Sequence, residues 1–160
     1  MRIDSVNPRD LVVLNAKLSS ESLRELLACP GIPNRAAVDR HLRRVAAHPN
    51  TRAVRGPSGL TALYYNTLNP AAPPPETIWL SLVSTTSFGD TLLSLTRHAR
   101  RLFSDWCAAG PRRVACLSLA ENEKAHKWMR LIGMKKRDEK TLETGATFFI
   151  FVWEPNYYVR

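Results

Sequence analysis

Thr77–Ser84 reads TIWLSLVS, a nearly unbroken apolar run of strand length. Such a run has no polar face to give to water, so it belongs inside a sheet that is covered on both sides. It leads directly into Ser87-Phe88-Gly89-Asp90 and a long segment where Leu92, Leu95, Ala99, Leu102, Phe103 and Trp106 recur at spacings of three and four. That spacing places the six on one face of a helix reaching about Ala109, which Gly110-Pro111 ends. Val114–Leu119 is a second apolar strand. Buried strands on either side of a long amphipathic helix point to an α/β chain.

The flanking segments add elements to this unit. Arg2–Val6 reads as a short strand, and Asn7-Pro8 as an N-cap followed by proline in the first helical position, opening a helix to about Leu18. Ser22 and Glu25 form a capping-box pattern for a short helix that ends near Cys29-Pro30. Asn34 caps a third helix with Ala37, Val38, Leu42 and Val45 on one side, ending before His48-Pro49. Thr51–Arg55 and Leu60–Leu68 are strands about a Gly56-Pro57-Ser58-Gly59 turn, and Asn69–Pro75 is a stiff proline-rich loop. Glu121–Ile132 is an amphipathic helix with Ala125, Trp128, Met129 and Ile132 inward and Gly133 as its stop. Lys135–Leu142 and Thr147–Trp153 form a terminal hairpin about Thr144-Gly145.

Composition bounds the rest. With 160 residues the chain is expected to be one domain, residues 1–160, large enough for a core without staples. The three cysteines, Cys29, Cys107 and Cys116, lack paired metal-ligand spacing and exclude a disulfide scaffold; Cys107 and Cys116 fall on apolar elements and read as core. No metal site is expected. No apolar run reaches the ~18–20 residues of a membrane span, and MRIDSVNPRD has no apolar signal region, so neither a membrane span nor secretion is expected.

Asn122-x-x-Ala125-x-x-Trp128-Met129-x-x-x-Gly133-Met134 resembles the Asn-x-x-Ala-x-x-Leu-Tyr-x-x-x-Gly-Phe pattern of the GCN5-related N-acetyltransferases (GNAT family). The order of elements is also similar to that family's, closely over residues 77–154 and by order alone over 1–70. The resemblance implies a single-domain, three-layer α/β fold, with a central, mixed, mostly antiparallel sheet and helices on both faces. It further implies an acetyl-CoA position at Ser84, Ser87, Phe88, Gly89 and Asn122, where the central strand parts from its neighbour and a helix N-terminus offers amides to a pyrophosphate. The family's loop, Arg/Gln-x-x-Gly-x-Gly/Ala, is here Ser84-Thr85-Thr86-Ser87-Phe88-Gly89, keeping only the last glycine, and Asp90 follows with a carboxylate expected to repel phosphate. Met129 stands where many members carry a general-acid tyrosine, and a thioether donates no proton. Glu121 and Glu76 are the carboxylates nearest the expected cleft. Tyr64 and Tyr65 alternate on their strand, one toward the core and one toward the surface. These departures predict reduced catalysis and no cofactor, with acetyl-CoA as donor if the protein is active.

Asn122, Trp128-Met129, Ile132-Gly133 and the basic helix from Arg97 to Arg113 are similar to the small GNAT-like internal virion (core) proteins of short-tailed lytic phages. That narrower resemblance implies a virion or assembly protein, located in the particle or the host cytoplasm, with other virion proteins as partners. The alternatives are an acetyl-CoA-dependent N-acetyltransferase acting on a host protein or small amine, and a basic protein that associates with DNA without reading sequence. The charge bears on this choice: 23 Lys+Arg against 14 Asp+Glu gives +9. No acid occurs from Arg40 to Pro75, and Ser84–Asp90 has no basic residue. Arg97, Arg100, Arg101, Lys127 and Arg130 are the expected contacts for nucleic acid or an acidic partner.

Overall fold

The computed structural model describes residues 1–68, 76–108 and 112–155 and, at Glu76 and Arg112, the backbone alone. The proline-rich loop and the Gly110-Pro111 helix stop lie outside these residues. The elements run β1 (Arg2–Asp4), α1 (Pro8–Lys17), α2 (Ser20–Ala28), α3 (Arg35–Ala47), β2 (Arg52–Gly56), β3 (Gly59–Asn66) and β4 (Glu76–Ser84). A 3-10 turn (Phe88–Thr91) then leads into α4 (Leu92–Cys107), β5 (Arg112–Leu119), α5 (Glu123–Leu131), β6 (Lys135–Thr141) and β7 (Thr147–Trp153). The strands form one sheet in the order β1-β2-β3-β4-β5-β7-β6. All neighbours are antiparallel except β4 and β5, which the α4 crossover makes parallel.

Each face of the sheet has its own apolar layer. On one side α4 and α5 cover Ala62, Tyr64, Val114 and Cys116 with Leu95, Ala99, Phe103, Trp128 and Met129. On the other, α1, α2 and α3 pack Leu14, Leu26, Val38 and Leu42 over Ala53, Leu63 and Val83. The three-and-four spacing of α4 thus buries Leu95, Ala99, Phe103 and, one turn on, Cys107. Tyr64 lies in the core, and Tyr65 is half-buried with its ring edge-on to His48 at 5.6 Å.

Local signals explain most boundaries. Asn7 caps α1, accepting from the Arg9 and Asp10 amides, while Asp10 accepts from the Asn7 amide. Asp10 is 2% exposed, and Arg55 on β2 grips it through two bonds of 2.6 and 2.7 Å while also reaching Asp4 at 3.2 Å. Burial pushes the Asp10 carboxyl up, but the Arg55 guanidinium and the Asn7 amide outweigh it and hold the group below its ordinary range. Gly133 takes φ +93 after α5, a conformation that strains any side chain, as a helix stop requires. β1 stops at Asp4 rather than Val6.

One expected cap is corrected. Ser19, not Ser22, caps α2, accepting from the Ser22 amide at 3.1 Å. Ser22 is buried in the first turn instead, and Glu25 is released from a capping box to point elsewhere.

Candidate functional site

The parallel strands β4 and β5 pair only over Glu76–Trp79 and Arg112–Ala115. Beyond that they part, while β4 stays paired to β3 through Ser84 and β5 to β7 through Leu119. The result is an opening through the sheet with a volume of about 670 Å³, in the usual range for small-molecule sites. The Thr67 amide donates to Trp79 O and the Thr85 amide to Thr61 O, so the odd-numbered residues of β4 turn their backbone groups to β3. By alternation the backbone groups of Leu82 and Ser84 turn the other way, into the opening.

The two faces of the opening differ in chemistry. On the α4–α5 side its wall is Leu80, Leu82, Leu92, Cys116, Met129 and Met134. The Cys116 thiol lies 3.6 Å from both the Met129 and Met134 sulfurs, and burial, with the charge of Glu25 added, pushes it up to about 12. On the α2 side the wall is polar: Ser19, Ser20, Glu21, Ser22 and Glu25. The Ser22 hydroxyl accepts from the Ser84 amide at 2.9 Å, and the Ser84 hydroxyl meets those of Ser19 and Ser22 at 2.9 and 3.1 Å. The backbone is stitched at the same place: Ser19 N–H donates to Ser84 O, Thr86 N–H to Lys17 O, and Leu18 bridges Thr85.

Glu25 is the carboxylate of this site. Its Oε1 accepts from the Ser118 hydroxyl at 2.7 Å, the Leu119 amide at 2.9 Å and the Asn122 side-chain amide at 2.9 Å. Oε2 makes no hydrogen bond within the described residues. One turn earlier Glu21 meets Lys124 of α5 at 2.7 Å, and that ammonium, with the local hydrogen bonds, lowers the Glu21 carboxyl to about 2. Both glutamates were missed in the sequence. Their spacing of four on one helical face was the available signal, since like charges so placed repel unless each has a partner.

The sequence-expected residues fall as follows. Ser84, Phe88, Gly89 and Asn122 line the opening; Ser87 does not. Phe88 does not plug it but packs edge-on to Trp128 at 5.8 Å. The Phe88 amide donates to Thr85 O and the Ser87 amide to the Thr85 hydroxyl, while the Gly89 amide meets no acceptor among the described residues. Asn122 caps α5 through its Oδ1 and spends one Nδ2 hydrogen on Glu25. Asp90 follows Gly89 in the 3-10 turn before α4, as the sequence implied; its carboxylate takes a hydrogen bond from Ser58 in the β2–β3 turn and is not part of the wall. Glu121 is exposed and borders a smaller hollow of about 290 Å³ beside the opening, with Glu21, Arg24, Glu123 and Lys124. Glu76 is described by its backbone only, paired with Arg112.

Of the basic residues, Arg97, Arg101, Lys127 and Arg130 are exposed and meet no carboxylate within ion-pair distance among the described residues. Arg100 is occupied, donating to the Leu131 carbonyl at the end of α5. Lys124 and Lys127 stand at the rim of the opening. Among the described residues, no three His, Cys, Asp or Glu side chains group to hold a metal. No helix among them is long and apolar enough to cross a membrane.

The fold as a whole is shared with solved structures. An acetyltransferase (GNAT family) from Bacillus anthracis matches with TM-score 0.66 at 12% identity, over 95% of this chain and 93% of its own. An N-acetyltransferase from Staphylococcus aureus matches with TM-score 0.65 at 15% identity, over 96% and 97%. AAC(6′)-Ib, solved with paromomycin and acetyl-CoA, matches with TM-score 0.64 at 14% identity, over 96% and 93%. This chain has a GNAT-like fold. No family model and no curated protein sequence matches it. Within the GNAT-like frame the resemblance seen at Asn122–Met134 is placed physically: Asn122 sits at the parting of the strands and Met129 in its apolar wall.

Proposed function

We propose that the protein is an N-acyltransferase that takes a coenzyme A thioester as donor and an amine as acceptor. The observation that carries this reading is the two-sided opening between β4 and β5, apolar toward α4–α5 and polar toward α2. The pantetheine arm suits the Phe88 and Leu92 end of the apolar side, its phosphates meeting the Gly89 amide and the Thr86 hydroxyl with Lys124 and Lys127 at the rim. An amine suits the α2 side, where Glu25 waits. Its nitrogen attacks the thioester carbon; the C–N bond forms, the C–S bond breaks and sulfur leaves as thiolate. The proton lost from nitrogen passes to Glu25 Oε2, directly or through one water. The Leu82 amide, turned into the opening, polarises the carbonyl oxygen. The thiolate takes its proton from solvent, because Met129 has none to give. Fixed positioning accounts for much of the rate of such a transfer, so the missing tyrosine slows the reaction without abolishing it.

Calorimetry with CoA and acyl-CoA, followed by thiol release on adding amines, tests this. Binding tighter than about 1 mM, roughly 4 kcal/mol, and amine-dependent thiol release are expected. No binding at that concentration overturns the reading.

A second reading has its own support in the unpaired cations Arg97, Arg101, Lys127 and Arg130. On it, the chain is a phage virion or assembly protein that uses the fold without turnover, its basic faces meeting acidic virion partners or DNA. Co-sedimentation with particles, or DNA binding that falls steeply with salt and ignores sequence, would favour it; absence of both removes it.

A further inference from the structure

We propose that the donor is a CoA thioester with an acyl chain longer than acetyl, in the butyryl to octanoyl range, its tail lying on Cys116, Met129 and Met134. The inference rests on the acyltransferase reading above and concerns what the apolar half of the opening selects.

A thioester carbonyl held by the Leu82 amide has two directions in which to send its acyl group. Toward α2 it meets Glu25 and the serine cluster, where methylenes would displace water from charged and hydroxyl groups for no return. Toward α4–α5 it meets only apolar side chains and the sulfur trio. Nothing polar ends that side: the Cys116 thiol touches two thioethers, and the one indole N–H nearby, on Trp128, is already given to the Thr96 hydroxyl at 3.0 Å. A two-carbon group makes little use of such a wall. The wall is also deformable. Met129 and Met134 are unbranched, with three rotatable bonds each, and can swing along a chain without breaking a hydrogen bond. A tyrosine at position 129 would instead bring a hydroxyl into this apolar wall. The methionine that stands there keeps the wall apolar and pliable.

The test is a calorimetric series on the full chain with CoA, acetyl-, butyryl-, hexanoyl- and octanoyl-CoA. Each buried methylene is expected to tighten binding about fourfold until the chain outgrows the pocket. Met129→Tyr should flatten that slope and return the preference to acetyl-CoA, while Met129→Leu, apolar and of similar size, should keep it. If CoA and acetyl-CoA bind as tightly as hexanoyl-CoA in the unmodified protein, the inference is overturned whether or not the variants fold. If none of the five binds, the acyltransferase reading itself has failed, and the two failures are told apart. A slope that Met129→Tyr leaves unchanged places the chain elsewhere and also overturns the proposal.

Discussion

Asp10 and Glu25 are carboxylates on neighbouring helices of the same sheet face, and they are held in opposite ways. Asp10 is buried against a guanidinium that matches it oxygen for oxygen, with a helix amide completing the set. Glu25 is fixed through one oxygen by three neutral donors, with no cation bonded to it, and its other oxygen makes no bond within the described residues. The first arrangement uses up its charge in joining α1 to β2. The second orients a charge and leaves it open to a ligand. On the acyltransferase reading, the contrast separates a carboxylate that serves the fold from one that serves a site, and each half can be tested by mutation.

The largest effect is expected at the closed pair. Arg55→Ala leaves Asp10 buried without a counter-charge and should cost about 3 kcal/mol by chemical denaturation, the low end for such pairs because Arg55 keeps 16% of its side chain exposed. A loss below about 1 kcal/mol would mean that water replaces the guanidinium and that the two carboxylates are not so different. Glu25→Gln should do the reverse. The amide oxygen still accepts from Ser118, Leu119 and Asn122, so the melting temperature should hold, while turnover with a saturating amine falls ~10²-fold or more. The loss should ease at higher pH, where the amine arrives unprotonated. A fall in melting temperature with turnover intact would make Glu25 another structural carboxylate.

Acid titration sharpens the same contrast. The folded Asp10 carboxyl lies below its unfolded value of 3.8, so its contribution is present above that pH and is lost as pH falls through the folded value. His41, His98 and His126 are lowered from 6.5, chiefly by burial, so stability should begin to fall below about pH 6.5, before the carboxylates titrate. In Arg55→Ala only burial and the amide remain at Asp10, and relative to the parent the variant should lose less stability below pH 4. The smallest effect is expected at Lys124→Ala. Its bond to Glu21 lies at the surface, with Lys124 85% exposed, and should be worth under about 1 kcal/mol by thermal melting.

How much of this was legible in the sequence varies with range. The caps at Asn7, Asn34 and Asn122, the apolar face of α4 and the helix stop at Gly133 are set by residues within a turn of one another, and local spacing displays them. The cap of α2 was misplaced because Ser19 and Ser22 both satisfy the local pattern; burial of Ser22 against Ser84, 62 residues on, decides between them. The Ser58 hydroxyl given to Asp90 comes from the β2–β3 turn, 32 residues earlier, and no local pattern marks it. Asn122 stood out by its motif, while its partner Glu25 lies 97 residues before it and its local pattern marked only a capping box. The cleft's lining was legible where the family pattern marked it and illegible where α2 crosses over to supply it.

The stitch of α2 to the end of β4 has a kinetic consequence. Lys17, Leu18 and Ser19 are bonded to Ser84, Thr85 and Thr86 through their backbones. The wall that would receive the thioester and the helix that carries Glu25 are therefore one mechanical piece. Any adjustment of β4 as a donor settles moves the start of α2 with it, and the amine's position is complete only afterwards. On the acyltransferase reading, the expected behaviour is donor first and acceptor second. Ser84, a residue of the donor strand, then becomes a determinant of the acceptor's KM.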